Sequence, residues 1–186
     1  MVLMETPFCN FGEKAFKFNL TDTDGKEWSL TDFTGRNGTL IMFICNHCPY
    51  VKAIQRRLVD DVLKLLDIGI NSVAIMSNDA NDYPEDSLEN MKKVATKFNY
   101  PFPYLWDESQ EVAKAYDARC TPDFFGYNSS LELQYRGRLD DSGMKTSLNT
   151  NNHDLLEAMI EVANTGKGPK HQIPSIGCSI KWKNSI

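Results

Sequence analysis

The sequence predicts an α/β fold with a mixed central β-sheet and helices on both of its faces. Apolar, strand-like stretches alternate along the chain with segments whose apolar residues recur every three or four positions, as in amphipathic helices. Such alternation favours parallel strand pairs joined by helices. Two strand-like stretches then follow one another before the last helix, which favours an antiparallel edge. The predicted order is β-hairpin, β, α, β, α, β, α, β, β, α.

The first predicted elements are a hairpin and a buried strand. Residues 16–20 and 27–30 alternate apolar and polar side chains around an Asp24-Gly25 turn, which predicts a β-hairpin. Residues 39–44 are almost continuously apolar, which predicts a central strand buried on both faces. Residues 1–13 show no periodicity, and we interpret them as a loosely held N-terminal arm.

The middle of the chain predicts two helices and two strands before a third helix begins. Apolar residues recur at helical spacing in the helical segments, and Ser87 is a good N-cap because its hydroxyl can accept a backbone hydrogen bond. The elements predicted here are a helix from Cys48 to Gly69, a strand over 70–76, a helix from Ser87 to Phe98, a strand over 104–106 and a helix starting at Ser109.

The C-terminal third predicts strands over 124–127 and 132–136, a polar loop over 149–152 and a helix over 155–163. The chain is expected to form a single domain over 1–186, with the N-terminal arm over 1–13 and an ordered C-terminal tail over 167–186. The tail has no hydrophobic period of its own. We expect it to fold back over the domain, anchored by Ile176, Ile180 and Trp182.

Composition and charge argue against several function classes. The net charge is −5 and basic residues are scattered, so neither nucleic acid nor membrane is expected as a partner. The first residues have neither the basic nor the apolar segment of a secretory signal. The five cysteines are an odd and sparse set, unlike the disulfide framework of a secreted domain. We therefore expect a cytoplasmic protein.

Two cysteines three positions apart are the strongest chemical signal in the sequence. Cys45 and Cys48 stand where the predicted central strand leads into the long helix, and Pro49 suits the first helical turn. The N-terminus of a helix carries partial positive charge and unpaired N–H groups, which favour a thiolate. Because thiolates attack disulfides, this arrangement predicts a redox-active dithiol.

The sequence also resembles the thioredoxin superfamily. The resemblance rests on the dithiol at a strand–helix junction, the order of elements and the segment Cys120-Thr121-Pro122-Asp123-Phe124-Phe125. It implies a thioredoxin fold with a cis peptide bond between Thr121 and Pro122, which would shape the substrate groove and keep metal from the thiols. It also implies that Cys45 is the exposed nucleophile with a lowered pKa and that Cys48 is the resolving thiol.

The N-terminal hairpin and the chain length are similar to the peroxiredoxin-like branch, the relatives of alkyl hydroperoxide reductase and thiol-specific antioxidant. Residues 45–51 and 174–183 resemble a subgroup of this branch that carries a Cys-x-x-Cys motif. Peroxiredoxins have Pro-x-x-x-Thr/Ser-x-x-Cys before the peroxide-reactive thiol. Here Ile41 or Met42 stands in the place of that Pro, and Cys45 in the place of the Thr. The dithiol therefore favours disulfide exchange, and a peroxidase that uses Cys48 is the alternative.

Three further residues are candidates for accessory roles. His47 lies inside the dithiol motif, where a protonated imidazole would favour a thiolate. Cys120 and Cys178 are candidates for additional redox thiols, whereas Cys9 is interpreted as having no role. His47 and the two dithiol cysteines are also soft ligands for zinc or copper, which makes a metal-binding protein a third alternative.

The function expected from the sequence is that of a thiol–disulfide oxidoreductase that needs neither a cofactor nor a metal. Its substrate would be a disulfide-containing protein or a small thiol. A cellular thiol donor, such as a thioredoxin or glutathione system, would reduce the Cys45–Cys48 pair again. Peroxiredoxin relatives often dimerise, so a homodimer is left open.

Overall fold

The computed structural model describes residues 2–7, 10–145 and 152–184. Across these residues ten strands form two sheets and four α-helices pack around them. The strands are β1 Leu3–Glu5, β2 Asn19–Asp22, β3 Glu27–Ser29, β4 Gly38–Phe43, β5 Ile70–Met76, β6 Tyr104–Trp106, β7 Cys120–Thr121, β8 Asp123–Tyr127, β9 Leu133–Tyr135 and β10 Ile176–Ser179. The helices are α1 Pro49–Asp67, α2 Leu88–Phe98, α3 Glu111–Ala115 and α4 Asp154–Thr165.

The larger sheet has the strand order β3-β2-β6-β5-β4-β8-β9. Strand β5 pairs in parallel with β4 and β6, whereas the remaining pairs are antiparallel, so the sheet is mixed. Strand β4 is buried along its whole length. Leu40 and Met42 face a core shared with α1, α2 and α4, while Ile41 and Phe43 face a second core that α3 joins. The predicted mixed sheet with helices on both faces is confirmed.

The smaller sheet joins the two ends of the chain in the order β1-β10-β7. Both pairs are antiparallel. Cys178 of β10 lies between Leu3 of β1 and Thr121 of β7. This sheet therefore holds both chain ends beside the segment that precedes Pro122.

Several predicted elements match the structure closely. Strands β5 and β6 have the predicted bounds, and α1 ends at Asp67, within two residues of the predicted end. Ser87 is the N-cap of α2, and its hydroxyl accepts a hydrogen bond from the Asn90 N–H at 3.4 Å. These elements follow from local signals, namely apolar periodicity and a capping residue.

Other predictions are corrected. The first hairpin strand begins at Asn19, and the helix predicted from Ser109 is only the five residues of α3. The arm interpreted as loosely held contains β1, because its backbone finds hydrogen-bonding partners in β10. The tail folds back as predicted, but only Ile180 is buried among the expected anchors, since Ile176 and Trp182 keep 42% and 41% of their surface exposed.

Two sequence predictions fall on positions that lie outside the described residues: Cys9, and most of the polar loop predicted over 149–152. His153, just beyond that loop, is the N-cap of α4. The described helices include none with the length and apolar character needed to cross a membrane.

Candidate active site

Cys48 is the N-cap residue of α1. Its carbonyl accepts the hydrogen bond of the Lys52 N–H at 3.0 Å, and Pro49 occupies the first helical position, where a missing N–H costs nothing. The Val51 N–H is directed at the Cys48 sulfur. The sulfur therefore lies at the positive end of the helix dipole, beside one of the unpaired N–H groups of the first turn.

Two other cysteines and one threonine surround this sulfur. Cys178 Sγ lies 3.0 Å from Cys48 Sγ, and Cys45 contacts Cys48 through a sulfur–sulfur hydrogen bond. Thr121 contacts both members of the dithiol, because its carbonyl oxygen lies 3.1 Å from Cys48 Sγ and its hydroxyl 3.2 Å from Cys45 Sγ. All three cysteines are buried, with at most 1% of their surface exposed, and none is disulfide-bonded.

The contacts lower the pKa of Cys48 to about 5. The S–H of Cys45 donates to its sulfur, and this outweighs the opposing effect of burial; the S–H of Cys178 and the N–H groups of Val51 and Cys178 lower the pKa further. The Thr121 carbonyl, which can only accept, disfavours the thiolate at short range. Four donors and a helix N-terminus outweigh that one acceptor, so Cys48 holds the negative charge.

Cys45 and Cys178 keep their protons, because each donates its S–H in a hydrogen bond to the Cys48 thiolate. Burial raises the pKa of Cys45 well above its ordinary value, and the hydrogen bond to Cys48 and the nearby Asp86 carboxylate raise it further. Burial also raises the pKa of Cys178, to about 12, together with its hydrogen bond to Cys48. The cluster of three sulfurs therefore carries one negative charge near neutral pH.

Asp86 organises the loop between the two dithiol cysteines. Its carboxylate accepts hydrogen bonds from the N–H of Asn46 at 2.7 Å, from Nδ1 of His47 at 2.6 Å and from the side-chain amide of Asn78 at 2.8 Å. Burial raises its pKa, but the hydrogen bonds of His47 and Asn78 more than offset this, and the net shift is downward. The His47 ring also stacks on Tyr83, with centroids 5.0 Å apart.

The peptide bond between Thr121 and Pro122 is cis, as the sequence resemblance implied. Strand β7 ends at Thr121, so this bond lies directly beside the dithiol. Cys120 is also buried, and its S–H donates to the Pro122 carbonyl at 3.5 Å. Burial and the nearby Asp123 carboxylate raise the pKa of Cys120, which makes it a poor nucleophile.

A family model described as the AhpC/TSA family matches residues 11–142. The chain belongs to this family. An uncharacterized conserved protein from Geobacillus kaustophilus shares 48% identity, with a TM-score of 0.93 over 100% of this chain and 99% of that one. A hypothetical protein from Sinorhizobium meliloti shares 38% identity, with a TM-score of 0.92 over 97% of this chain and 99% of that one. No curated protein matches the sequence.

Two more distant structures show the same thioredoxin fold as this AhpC/TSA protein. The thioredoxin domain of a thiol-disulfide oxidoreductase from Bacteroides vulgatus has a TM-score of 0.58 at 16% identity, over 69% of this chain and 89% of that one. The peroxidoxin BcpB from Mycobacterium tuberculosis has a TM-score of 0.58 at 15% identity, over 82% of this chain and 92% of that one. The recognition of a thioredoxin-fold redoxin of the AhpC/TSA family is thus confirmed, which supports a redox enzyme in general.

The structure corrects one implication of the resemblance. Cys45 is not an exposed thiol with a lowered pKa, because it is 1% exposed and its pKa is raised. The lowered pKa belongs to Cys48. The main reason is that the S–H of Cys45 donates to Cys48, while burial and this same bond raise the pKa of Cys45. The Val51 N–H adds to the effect, because α1 begins directly after Cys48.

The ligand set expected for a metal is also corrected. Within the described residues, Cys45, His47 and Asp86 bring one potential ligand atom each to within 4.8 Å of one another, and Cys48 is not in this group. Asp86 and the imidazole of His47 already hydrogen-bond to each other. In this AhpC/TSA protein a metal would compete with that bond, and no metal function is proposed.

Asp86 is the site residue that sequence reasoning missed, and a signal for it existed. Strands β4 and β5 are parallel, so the loops that follow them emerge at the same edge of the sheet. The loop after β4 carries the dithiol, and the loop after β5 carries Asp86. Cys178 was named as an accessory candidate, and the structure brings it to Cys48.

Proposed function

We propose that this protein is a thiol–disulfide oxidoreductase in which Cys45 and Cys48 form the redox-active dithiol. The observation that carries the proposal is the position of Cys48 at the N-terminus of α1, in contact with Cys45 and beside the cis-proline segment. These contacts lower the pKa of Cys48 and keep Cys45 protonated. The nucleophile in disulfide exchange is the thiolate, which Cys48 supplies near neutral pH. Cys45, which contacts Cys48, can then attack the mixed disulfide and release the partner.

The reaction begins with the Cys48 thiolate attacking one sulfur of a partner disulfide. The partner S–S bond breaks, one partner thiolate leaves and a mixed disulfide forms on Cys48. The negative charge of Cys48 is then gone, and with it two of the influences that raise the pKa of Cys45. Cys45 loses its proton and attacks the Cys48 sulfur, with the Thr121 hydroxyl 3.2 Å away to stabilise the new thiolate. The second partner thiolate leaves, so two electrons have passed to the partner.

The expected substrate is a disulfide-containing protein or a small disulfide. We assign the substrate-groove wall to the cis Thr121-Pro122 segment, and this is supported by its contact with the dithiol. A cellular thiol donor, such as a thioredoxin or glutathione system, reduces the resulting Cys45–Cys48 disulfide. We also propose a cytoplasmic location, on the basis of the odd and sparse cysteine set. Cell fractionation tests the location: recovery with a periplasmic or secreted marker contradicts it.

Peroxide reduction is the second candidate, because the thiolate lies at the peroxide-reactive position of the family pattern. In this reaction Cys48 attacks the peroxide and becomes a sulfenic acid, which a neighbouring thiol converts to a disulfide with loss of water. Cys45 stands where peroxiredoxins have a Thr hydroxyl that helps to hold the peroxide. A thiol does this less well, so we place exchange first.

Thiol counting and intact-mass measurement test the proposal. Native protein and the Cys45→Ser and Cys48→Ser variants are treated separately with one equivalent of oxidised glutathione or hydrogen peroxide. We expect glutathione disulfide to oxidise the wild type faster than peroxide does, Cys48→Ser to abolish the fast reaction, and Cys45→Ser to retain the first attack. A peroxide reaction that is complete within seconds, with slow exchange, would establish the peroxidase instead. Fast exchange by Cys48→Ser would make Cys45 the nucleophile.

A further inference from the structure

Strand β10 brings a third thiol to the dithiol from the far end of the chain. Cys178 lies opposite Thr121 in the antiparallel pairing with β7, and its Sγ is 3.0 Å from Cys48 Sγ although 130 positions separate the two residues. A disulfide bond has a sulfur–sulfur distance of about 2.05 Å. An approach of roughly 1 Å would therefore join these two sulfurs.

The position of Cys178 is fixed by the residues that flank β10 on both sides. On one side the Ser175 hydroxyl donates to the Pro122 carbonyl at 2.7 Å. On the other side the Ile180 N–H donates to the Arg119 carbonyl at 3.2 Å. The contact between the two sulfurs is therefore set by the fold, and it does not depend on the rotamer of a mobile tail.

Gly177 allows the close approach of β10. A Cβ at this position would lie 2.1 Å from the Thr121 carbonyl oxygen and 3.1 Å from the Pro122 nitrogen. Both are backbone atoms that cannot move aside as a flexible side chain would. Only a residue without a side chain lets β10 lie against the cis-proline segment and bring the next residue, Cys178, to Cys48.

We propose that Cys178 is a redox-active thiol that forms a reversible disulfide with Cys48, in competition with Cys45. The proposal deepens the proposed function and rests on it for the source of the oxidising disulfide. Its product differs, because a Cys48–Cys178 bond ties β10 to the start of α1, whereas a Cys45–Cys48 bond stays within one loop.

The chemistry parallels that of the dithiol. The Cys48 thiolate first attacks a disulfide such as oxidised glutathione, and one glutathione thiolate leaves. Cys178 then loses its proton and attacks the Cys48 sulfur of the mixed disulfide, which expels the second glutathione thiolate. The Cys48 thiolate and the Cys178 thiol together lose two electrons and one proton. The two glutathione thiolates carry away the electrons, and they take up the proton of Cys178 and one more from water. Once Cys48 carries no charge, two of the influences that raise the pKa of Cys178 disappear.

The experiment removes the competing thiol and maps the disulfide that forms. The Cys45→Ser variant is oxidised with glutathione disulfide, and in parallel with diamide, a two-electron oxidant of thiols. Remaining thiols are blocked in acid and the linked peptides are identified by mass spectrometry. Two double variants are compared with Cys45→Ser. One combines Cys45→Ser with Cys178→Ser. The other combines Cys45→Ser with Cys120→Ser and is the matched control, because the sulfur of Cys120 contacts the Pro122 carbonyl and not Cys48. Wild type is mapped in the same way.

We expect Cys45→Ser to lose about two mass units and to yield a Cys48–Cys178 peptide with either oxidant, and Cys120→Ser not to change this. With Cys178→Ser added, a stable glutathione adduct on Cys48 should accumulate. The same adduct in Cys45→Ser, with no Cys48–Cys178 peptide in any protein including wild type, overturns the proposal. If diamide forms the link and glutathione disulfide does not react, the exchange function fails and the role of Cys178 stands.

Discussion

The charge on Cys48 can be titrated, and the structure gives the expected midpoint. Its pKa is lowered from 9.0 to about 5. At pH 7 a thiol with a pKa of about 5 is roughly 99% thiolate, whereas one at 9.0 is about 1% thiolate. The thiolate is lost as the pH falls through about 5. Cys45 and Cys178 stay protonated over this range because both of their pKa values are raised.

Replacing Cys178 by Ala changes this midpoint by an amount that follows from the contacts. The substitution removes the S–H donor 3.0 Å from Cys48 but keeps the backbone N–H of residue 178. A hydrogen bond to a charged group contributes about 1.5–3 kcal/mol, which corresponds to roughly 1–2 pKa units. We therefore expect the midpoint to rise to about 6–7 in Cys178→Ala. Cys120→Ala is the control and should leave it in place.

The assay is the ultraviolet absorbance of the thiolate between about pH 4 and 8, followed in wild type and in the two variants. Cys48→Ala should show no transition in this range, which assigns the signal. A wild-type midpoint near 9 would refute the assignment of the charge to Cys48. An unchanged midpoint in Cys178→Ala would refute the role of its S–H as a donor.

Three further substitutions test the packing around the site, each measured by urea unfolding. Gly177→Ala should lower the free energy of unfolding by about 1–3 kcal/mol, because the new Cβ meets the Thr121 carbonyl. It should also speed thiol labelling, and a labelling rate equal to that of wild type would show that β10 does not cover the thiols. Asp86→Asn should lower the free energy of unfolding by about 1–3 kcal/mol, since the carboxylate accepts hydrogen bonds from several buried donors. An unchanged free energy of unfolding would show that the amide satisfies these donors. Asp123→Ala should lower the free energy of unfolding by about 3–5 kcal/mol, because it leaves the buried Arg136 guanidinium, 3.0 Å away, without its carboxylate. A decrease of less than about 1 kcal/mol would mean that water reaches the guanidinium.

The sequence predicted those parts of the fold that depend on neighbours along the chain. Strand β5 and the capped helix α2 follow from apolar periodicity and from Ser87, so their bounds were predicted closely. The two-residue strand β7 is too short to leave a pattern, and β1 becomes a strand only because β10 lies beside it. Their existence depends on tertiary pairing, which a local pattern does not contain.

The same distinction holds for the candidate site. The dithiol and the cis-proline segment were predicted because each is a short motif, and a family resemblance adds their spatial relation. The distribution of charge between Cys45 and Cys48 was predicted wrongly, because it depends on which cysteine receives donors from other segments. The contact of Cys178 with Cys48 spans 130 positions, and nothing periodic in the tail signals it.

The donors that stabilise the Cys48 thiolate come from three separate segments. The same contacts that favour the thiolate therefore also cover it. Cys45 lies in the loop after β4, Val51 in the first turn of α1 and Cys178 in β10. The dithiol is buried, so one of the segments that cover it must move before a partner disulfide can reach Cys48. If β10 is the segment that moves, both donors of Cys178 leave with it, and the pKa of Cys48 rises. Thiolates become more nucleophilic as their pKa rises, and the best attacking thiol has a pKa near the ambient pH. Thiolate population and intrinsic nucleophilicity therefore oppose each other at Cys48. The closed structure favours the population of the thiolate, and an opening at β10 would favour its nucleophilicity.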